Sequence, residues 1–359
     1  TDYPGYLTEP ANRICEPAGA MNVLTVGALA HGEGLGPEFA DDVHVRPITR
    51  ALEPAPFSRV GPGIGGSTKP DLVDVGGTMV FDPMVGRLRL GEDLASAGVL
   101  TLHHRFLDRL FTAGSGTSYA APLVASKAAR LLGRFPNASA NLMRALLAGA
   151  SEVPQPAELR LQPLGDDTVR AVCGNGRPDA ERAAYSDDHR VVLFAEDELP
   201  LDHFAVYQVP IPELFQGGGR RTIRVSLAYD PPVRHTRADY AGVGMSFRLV
   251  RGCDPALIFD HFRRRTQAEG RRPDLDNRFN CGMEPGPRER ERNTVQTASV
   301  TFTRDTDAYG GSYHLVVRCE AGWAATFETR QRFALVVEMQ HQPEVQLYAR
   351  LRAQVRLPA

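Results

Sequence analysis

The chain has 359 residues, 41 basic side chains against 43 acidic ones, and 42% apolar residues, with 34 Gly and 27 Pro. That length fits two domains, and the composition excludes a collagen or a disordered tail, while no run of about 18 apolar residues is present for a membrane span. A net charge of −2 supplies no global field to draw in nucleic acid or an anionic bilayer, so neither is an expected partner. Lys69 and Lys127 are the only lysines among 41 basic residues, which reads as coding bias without functional content. Cys15, Cys173, Cys253, Cys281 and Cys319 are odd in number and widely spaced, so neither a disulfide framework nor a zinc site is signalled. A reducing cytoplasm is the expected compartment, no metal or cofactor is expected, and Thr1-Asp2-Tyr3-Pro4 does not begin a signal peptide.

Residues 1–185 alternate short apolar runs with Gly/Pro punctuation and two helical patterns. This predicts an α/β domain, a mostly parallel sheet flanked by helices. Strands are expected at Asn22–Leu29, Asp71–Val75 and Val99–Leu102, with loops such as Gly61–Gly66 between them. A helix is expected from Thr117 or Ser118 to Phe135, because Tyr119, Leu123, Ala125, Ala128, Leu131 and Leu132 recur at helical spacing and Pro136 stops it. Ser139 suits the N-cap of a second helix carrying Leu142, Leu146 and Leu147.

Residues 186–359 change texture to alternating β-branched and aromatic runs at 190–194, 222–229, 299–302, 313–317, 333–337 and 345–348. They predict a second domain, an antiparallel β-sandwich or jelly roll. A helix from Pro255 to about Arg265 and a polar loop near Glu284–Asn293 interrupt it, and the mixed-sign run Pro287–Arg292 reads as an exposed, mobile loop. Arg263, Arg264, Arg265, Arg271 and Arg272 are diluted by Asp260, Glu269, Asp274 and Asp276, so they read as a solvated helix and loop rather than a nucleic-acid footprint. Trp323 with Phe327 reads as core rather than a ligand platform.

The sharpest chemical signal is Gly116-Thr117-Ser118-Tyr119-Ala120-Ala121-Pro122 at the opening of the first helix. A serine at a helix N-terminus meets unpaired backbone N–H groups and the positive end of the dipole, which favour a developing anion. Gly116 leaves room for a substrate backbone, and Ala120 and Ala121 let the first turn bury itself beneath the site. The competing explanation is a plain Ser/Thr helix cap.

This motif resembles the signature around the nucleophile of the subtilisin-like serine proteases, the subtilases. Asn22–Leu29 is similar to the family's strand after the oxyanion asparagine, Pro56–Pro62 to its "FSxRGP" stretch, and Lys69–Val73 to its "KPDVVAPG", where Asp74-Val75-Gly76-Gly77 departs from the usual ending. Gly174–Ala180 resembles the "GxGxxxA" element that closes the catalytic domain. The resemblance implies a serine endopeptidase acting on polypeptide, with Ser118 as nucleophile and Ser118, Thr117 and Gly116 supplying backbone support to the oxyanion. The family's chain order is Asp, His, oxyanion Asn, then Ser, which implies that the first three lie on an N-terminal segment outside this chain. Local substitutes lack the right context: His31 follows the strand instead of preceding it, His103 and His104 read as loop residues, Asn12 lacks a preceding Gly, and Asp74 and Asp108 have no Asp-[Ser/Thr]-Gly. The pattern also resembles bacterial subtilases paired with an AAA+ ATPase, which implies that partner and a part in plasmid incompatibility or phage defence. The alternative is a noncatalytic subtilase-like scaffold whose β-sandwich binds a partner protein.

Overall fold

The computed structural model describes residues 2–37, 44–211, 215, 219–267, 279–303 and 312–341, leaving aside the side chains of 166 and 264–267. The elements in chain order begin with β1 (Val26–Leu29), β2 (Arg46–Pro47), β3 (Leu72–Val75), β4 (Val80–Asp82), β5 (Arg87–Arg89), β6 (Val99–Leu102) and β7 (Phe111–Gly114). Then come α1 (Thr117–Arg134), α2 (Ala140–Gly149), β8 (Ser151–Glu152), α3 (Gln155–Leu161), α4 (Asp166–Cys173), β9 (Arg177–Pro178) and α5 (Ala180–Ala184). The remainder is β10 (Arg190–Pro200), β11 (Phe204–Pro210), β12 (Arg221–Tyr229), β13 (Val243–Arg251), α6 (Pro255–Gln267), α7 (Pro287–Arg290), β14 (Val295–Phe302), β15 (Ser312–Ala321) and β16 (Arg330–His341). The chain divides into two compact units, Thr1–Pro136 with Ala150–Ala180, and Asn137–Gly149 with Glu181–Ala359.

In the first unit β1 and β3 pair in parallel, Val26 opposite Leu72 and Leu29 opposite Val75. One face of the pair meets α1 through Ala28, Ala55 and Ala120. The other is covered by Leu161 of α3 and Val172 of α4, which cluster with Leu29 and Val73. Helices on both sides of parallel strands are the layer arrangement such strands require. The expected mostly parallel sheet reduces to this pair and an isolated parallel bridge between Arg13 and Val60 among the described residues: β2, β4 and β5, β6 with β7, and β8 with β9 all pair antiparallel. The reason for β6 and β7 is chain length, since the eight residues between them are fewer than the dozen or more a parallel crossover needs. The ladder runs from Val26, and just before it Thr25 is tied to Asp71, its N–H donating to the Asp71 carboxylate at 2.7 Å and its carbonyl accepting the Asp71 N–H at 2.9 Å. Gly174 (φ +58) and Gly176 (φ +99) let the segment after α4 turn and lie against β3, where the Gly176 carbonyl accepts the Val73 N–H at 3.0 Å. A Cβ at either glycine would strike the backbone of Pro70 and Asp71, or of Glu152.

In the second unit one sheet has the order β10-β16-β12-β14 and the other β11-β15-β13. Their inward side chains, among them Ile223 and Leu335 from the first and Phe247 and Leu315 from the second, form one apolar cluster, so the sheets pack face to face. The strands β11 and β13 were not expected from the sequence, and 345–348, Arg271 and Arg272 lie outside the described residues, as do the side chains of Arg264 and Arg265. Helix α2 packs on β12, β14 and β16 of the second unit, burying Leu142, Leu146 and Leu147, while Ser139 Oγ accepts the Leu142 N–H at 3.1 Å as the expected cap.

The expected exposed loop at Pro287–Arg292 is instead a helical turn around a buried cation. Arg290 is 2% exposed, donates to the carbonyls of Pro285 (3.0 Å) and Phe247 (2.6 Å), and stacks over the Phe247 ring. Carbonyls and an aromatic face replace water around a delocalised guanidinium, which is why this arginine is inside. Trp323 packs against the core and donates to the Asp239 carbonyl, whereas Phe327 is exposed.

Candidate active site

Helix α1 is fixed at its N-terminus by the ends of the parallel strands. Beyond β1 and β3 the Gly76 N–H donates to the Leu29 carbonyl at 2.9 Å, and the Gly76 carbonyl accepts the Gly116 N–H at 2.8 Å. Ser115 braces the same turn, accepting the Gly91 N–H and donating to the Ala97 carbonyl at 3.0 Å. The Tyr119 ring lies against Gly114, in the space a Cβ at 114 would take. Gly116 is the N-cap, in extended conformation, and no side chain caps the helix. Thr117 and Ser118 therefore occupy the first two helical positions, where backbone N–H groups have no intrahelical acceptor.

Ser118 is exposed, and its hydroxyl has no hydrogen-bond partner among the described residues. A capping serine would sit one position before the helix and accept a first-turn N–H; Ser118 does neither, so the cap explanation fails. Pro122 lies four residues on inside the same helix and has no N–H to give to the Ser118 carbonyl. A Cβ added at Gly116 would meet nothing closer than 3.8 Å, so the space in front of the turn is open to an approaching chain. What the arrangement offers chemically is a solvent-facing hydroxyl beside unpaired N–H donors at the positive end of an 18-residue helix.

The other candidates are occupied elsewhere. His31 Nε2 lies 2.8 Å from the Ser96 carbonyl, and His103 Nδ1 lies 3.2 Å from the Arg105 carbonyl with its ring beside His104. Asn12 donates its amide to the carbonyls of Leu7 (3.1 Å) and Ser58 (3.0 Å). Asp108 pairs with Arg105 at 3.4 Å. Asp74 is 0% exposed and is held by Lys127 of α1 and by Arg177 at 2.9 Å. None of these side chains is hydrogen-bonded to Ser118.

Two features escaped the sequence reading. The α1 stripe that meets the strands is Ala120, Val124, Lys127 and Leu131, with Lys127 half-buried, while Leu123, Ala125 and Leu132 are exposed; small residues win the inward face because Ala28 and Ala55 beneath allow close approach. The signal that could have found it was the chain's scarcity of lysine, since Lys69 is also buried, 2.6 Å from Asp71. The second feature is the β6–β7 hairpin leading into Ser118, which exposes Leu100, Leu102, Phe106, Leu107 (88%), Leu110 and Phe111. Leu102 and Phe111 are cross-strand partners and so share one apolar face. Among the described residues no group of three or more His, Cys, Asp or Glu is placed to hold a metal ion, and no helix is long and apolar enough to cross a membrane.

The family model described as "Subtilase family" matches residues 8–176, from before β1 through α1 to Gly176. The chain is 66% identical over 357 residues to "Uncharacterized protein y4bN" of Sinorhizobium fredii (strain NBRC 101917 / NGR234), covering 99% of this chain and 83% of that protein. Among solved structures it is similar to a protease of Pseudoalteromonas arctica PAMC 21717, at 20% identity over 47% of this chain with a TM-score of 0.30. It is also similar to fervidolysin from Fervidobacterium pennivorans, a keratinolytic enzyme related to subtilisin, at 16% identity over 84% of this chain with a TM-score of 0.28. The chain spans 37% of the length of each of these two structures. Residues 8–176 thus form a subtilase-family domain.

Proposed function

We propose that this chain carries the nucleophile of a subtilisin-type serine endopeptidase, with the catalytic Asp, His and oxyanion Asn supplied by an N-terminal segment outside these 359 residues. The observation that carries the proposal is the exposed, unbonded Ser118 hydroxyl on the first turn of α1. A neutral serine is a weak nucleophile and needs a base within hydrogen-bond reach. In the proposed reaction Ser118 Oγ attacks the scissile carbonyl and the incoming histidine takes its proton. The carbonyl oxygen becomes an oxyanion received by the Ser118 N–H and the asparagine amide. The protonated histidine then gives its proton to the leaving amine, and water resolves the acyl-enzyme with the same base. Each oxyanion donor contributes about 10²–10³ in rate. The apolar β6–β7 face beside this turn suits a polypeptide substrate better than a small polar one.

The test is fluorophosphonate labelling and peptide hydrolysis by the protein at its full natural length. Wild type labels at Ser118, and Ser118→Ala loses labelling and about 10⁶-fold of the hydrolytic rate. An unlabelled wild type, or a Ser118→Ala variant with full cellular activity, overturns the peptidase in favour of a scaffold that binds.

A further inference from the structure

Lysine is an odd resident of the inward stripe of α1. Positions 120, 124, 127 and 131 follow a 4-3-4 spacing that places them on one helix face, and three are buried apolar residues. The fourth is Lys127, whose ammonium reaches the Asp74 carboxylate. Asp74 is opposite Ala28 in the parallel ladder, on the face that receives the helix. Its other oxygen takes Arg177 Nε at 2.9 Å and the Val75 N–H at 2.9 Å. A single fully buried carboxylate therefore ties together strand β3, helix α1 and the segment after Gly176.

Towards Ser118 that interface is made mostly of small side chains, with Val26 and Phe57 packed against them. Ala28, Ala55 and Ala120 allow close approach but offer few knobs to fix how far the helix slides or turns. An ion pair with one geometry supplies what alanine cannot, and registry is the best-attested use of buried charge. Lys127 lies nine residues, about 13 Å of helix and two and a half turns, from Ser118, so it faces the strands while Ser118 faces solvent. Rotation or sliding of α1 that displaced the ammonium from Asp74 would swing Ser118 Oγ and its N–H by the same movement.

We infer that Lys127, through Asp74, is a positioning residue for Ser118: the pair fixes the rotation and axial register of α1 and so aims the hydroxyl and its oxyanion N–H. The inference rests on the peptidase proposal for its kinetic consequence and on the helix contacts alone for its structural one. An aiming error of about 1 Å costs on the order of 10²-fold in rate.

The experiment compares wild type, Lys127→Met and the double variant Asp74→Ala/Lys127→Met at full natural length. Lys127→Met leaves a buried carboxylate with one cation fewer and lowers both thermal stability and the rate. The double variant removes the buried charge as well, and apolar replacement of such pairs restores stability. It is expected to melt with wild type yet to label with fluorophosphonate about 10- to 100-fold more slowly, with kcat reduced and KM unchanged. Amide exchange at 119–121 is expected to quicken in both variants, a readout independent of catalysis. A double variant with the wild-type labelling rate, or unaltered exchange in both, overturns the inference. A wild type that never labels overturns the peptidase proposal and the kinetic claim, and the exchange result then decides whether Lys127 holds the helix.

Discussion

His314 on β15 is 5% exposed, and its Nδ1 has no hydrogen-bond partner among the described residues. Burial lowers its pKa below the ordinary 6.5, partly opposed by the nearby Asp254 carboxylate. The folded state thus binds this proton less readily than the unfolded chain. Stability from this group is complete above about pH 6.5, the unfolded value, and is lost as pH falls through the lower native value. Melting temperature measured from pH 7.5 to 5 is expected to decline in wild type and to decline less in His314→Leu; equal slopes would place the proton elsewhere. At this scale the sequence announces groups whose partners are local. Ser118 and Ser139 were legible because helix starts are written in neighbouring residues. Lys127 and Arg290 were not, because what buries a charge lies dozens of residues away: Asp74 for one, the Phe247 ring and carbonyl for the other.

At the scale of elements, the first turn of α1 depends on how β7 meets the helix. Gly114 ends the strand, and the Tyr119 ring fills the place where a side chain at 114 would be. Gly114→Ala forces the ring and the first turn apart, and overpacking of this kind costs about 1–3 kcal/mol. Ser118 labelling is expected to slow with it, and Tyr119→Leu in the Gly114→Ala background to recover stability by making room. A Gly114→Ala protein with the wild-type melting temperature would show that the ring does not rest there. Among elements, periodicity found α1 and α2 and most long strands. It missed β11 and β13, whose interrupted runs, such as Val243-Gly244-Met245-Ser246, alternate too weakly to stand out. The inward stripe of α1 was displaced for a related reason: hydrophobicity points to Leu123 and Leu132, whereas close approach to Ala28 selects Ala120. Parallel pairing leaves still less trace, since it depends on connections rather than on the strands themselves.

For the whole molecule, the order of residues along the chain is not the order of its units. The texture change near residue 185 marks where β-rich sequence begins, but α2, written forty residues earlier directly after α1, belongs with the second unit. Its Leu142, Leu146 and Leu147 are buried on the β12–β14–β16 face. Arg144 joins them there, donating to the Tyr229 carbonyl at 3.1 Å and to Thr294 Oγ1 at 2.6 Å. Burying three leucines at about 2 kcal/mol each is comparable with the entire stability of many domains. A chain that begins at Glu181 therefore keeps every strand of both sheets and still lacks the helix that covers one of them. It is expected to bind a hydrophobic dye and to unfold at a lower urea concentration than the second unit of the complete protein. Joining residues 137–149 to it through a flexible linker is expected to restore the urea midpoint, and Arg144→Ala within that added helix to remove most of the gain. If the chain from Glu181 proved as stable without the helix as with it, the strand-only boundary near 185 would be the physical one, and α2 would be a passenger on the sheet rather than part of its core.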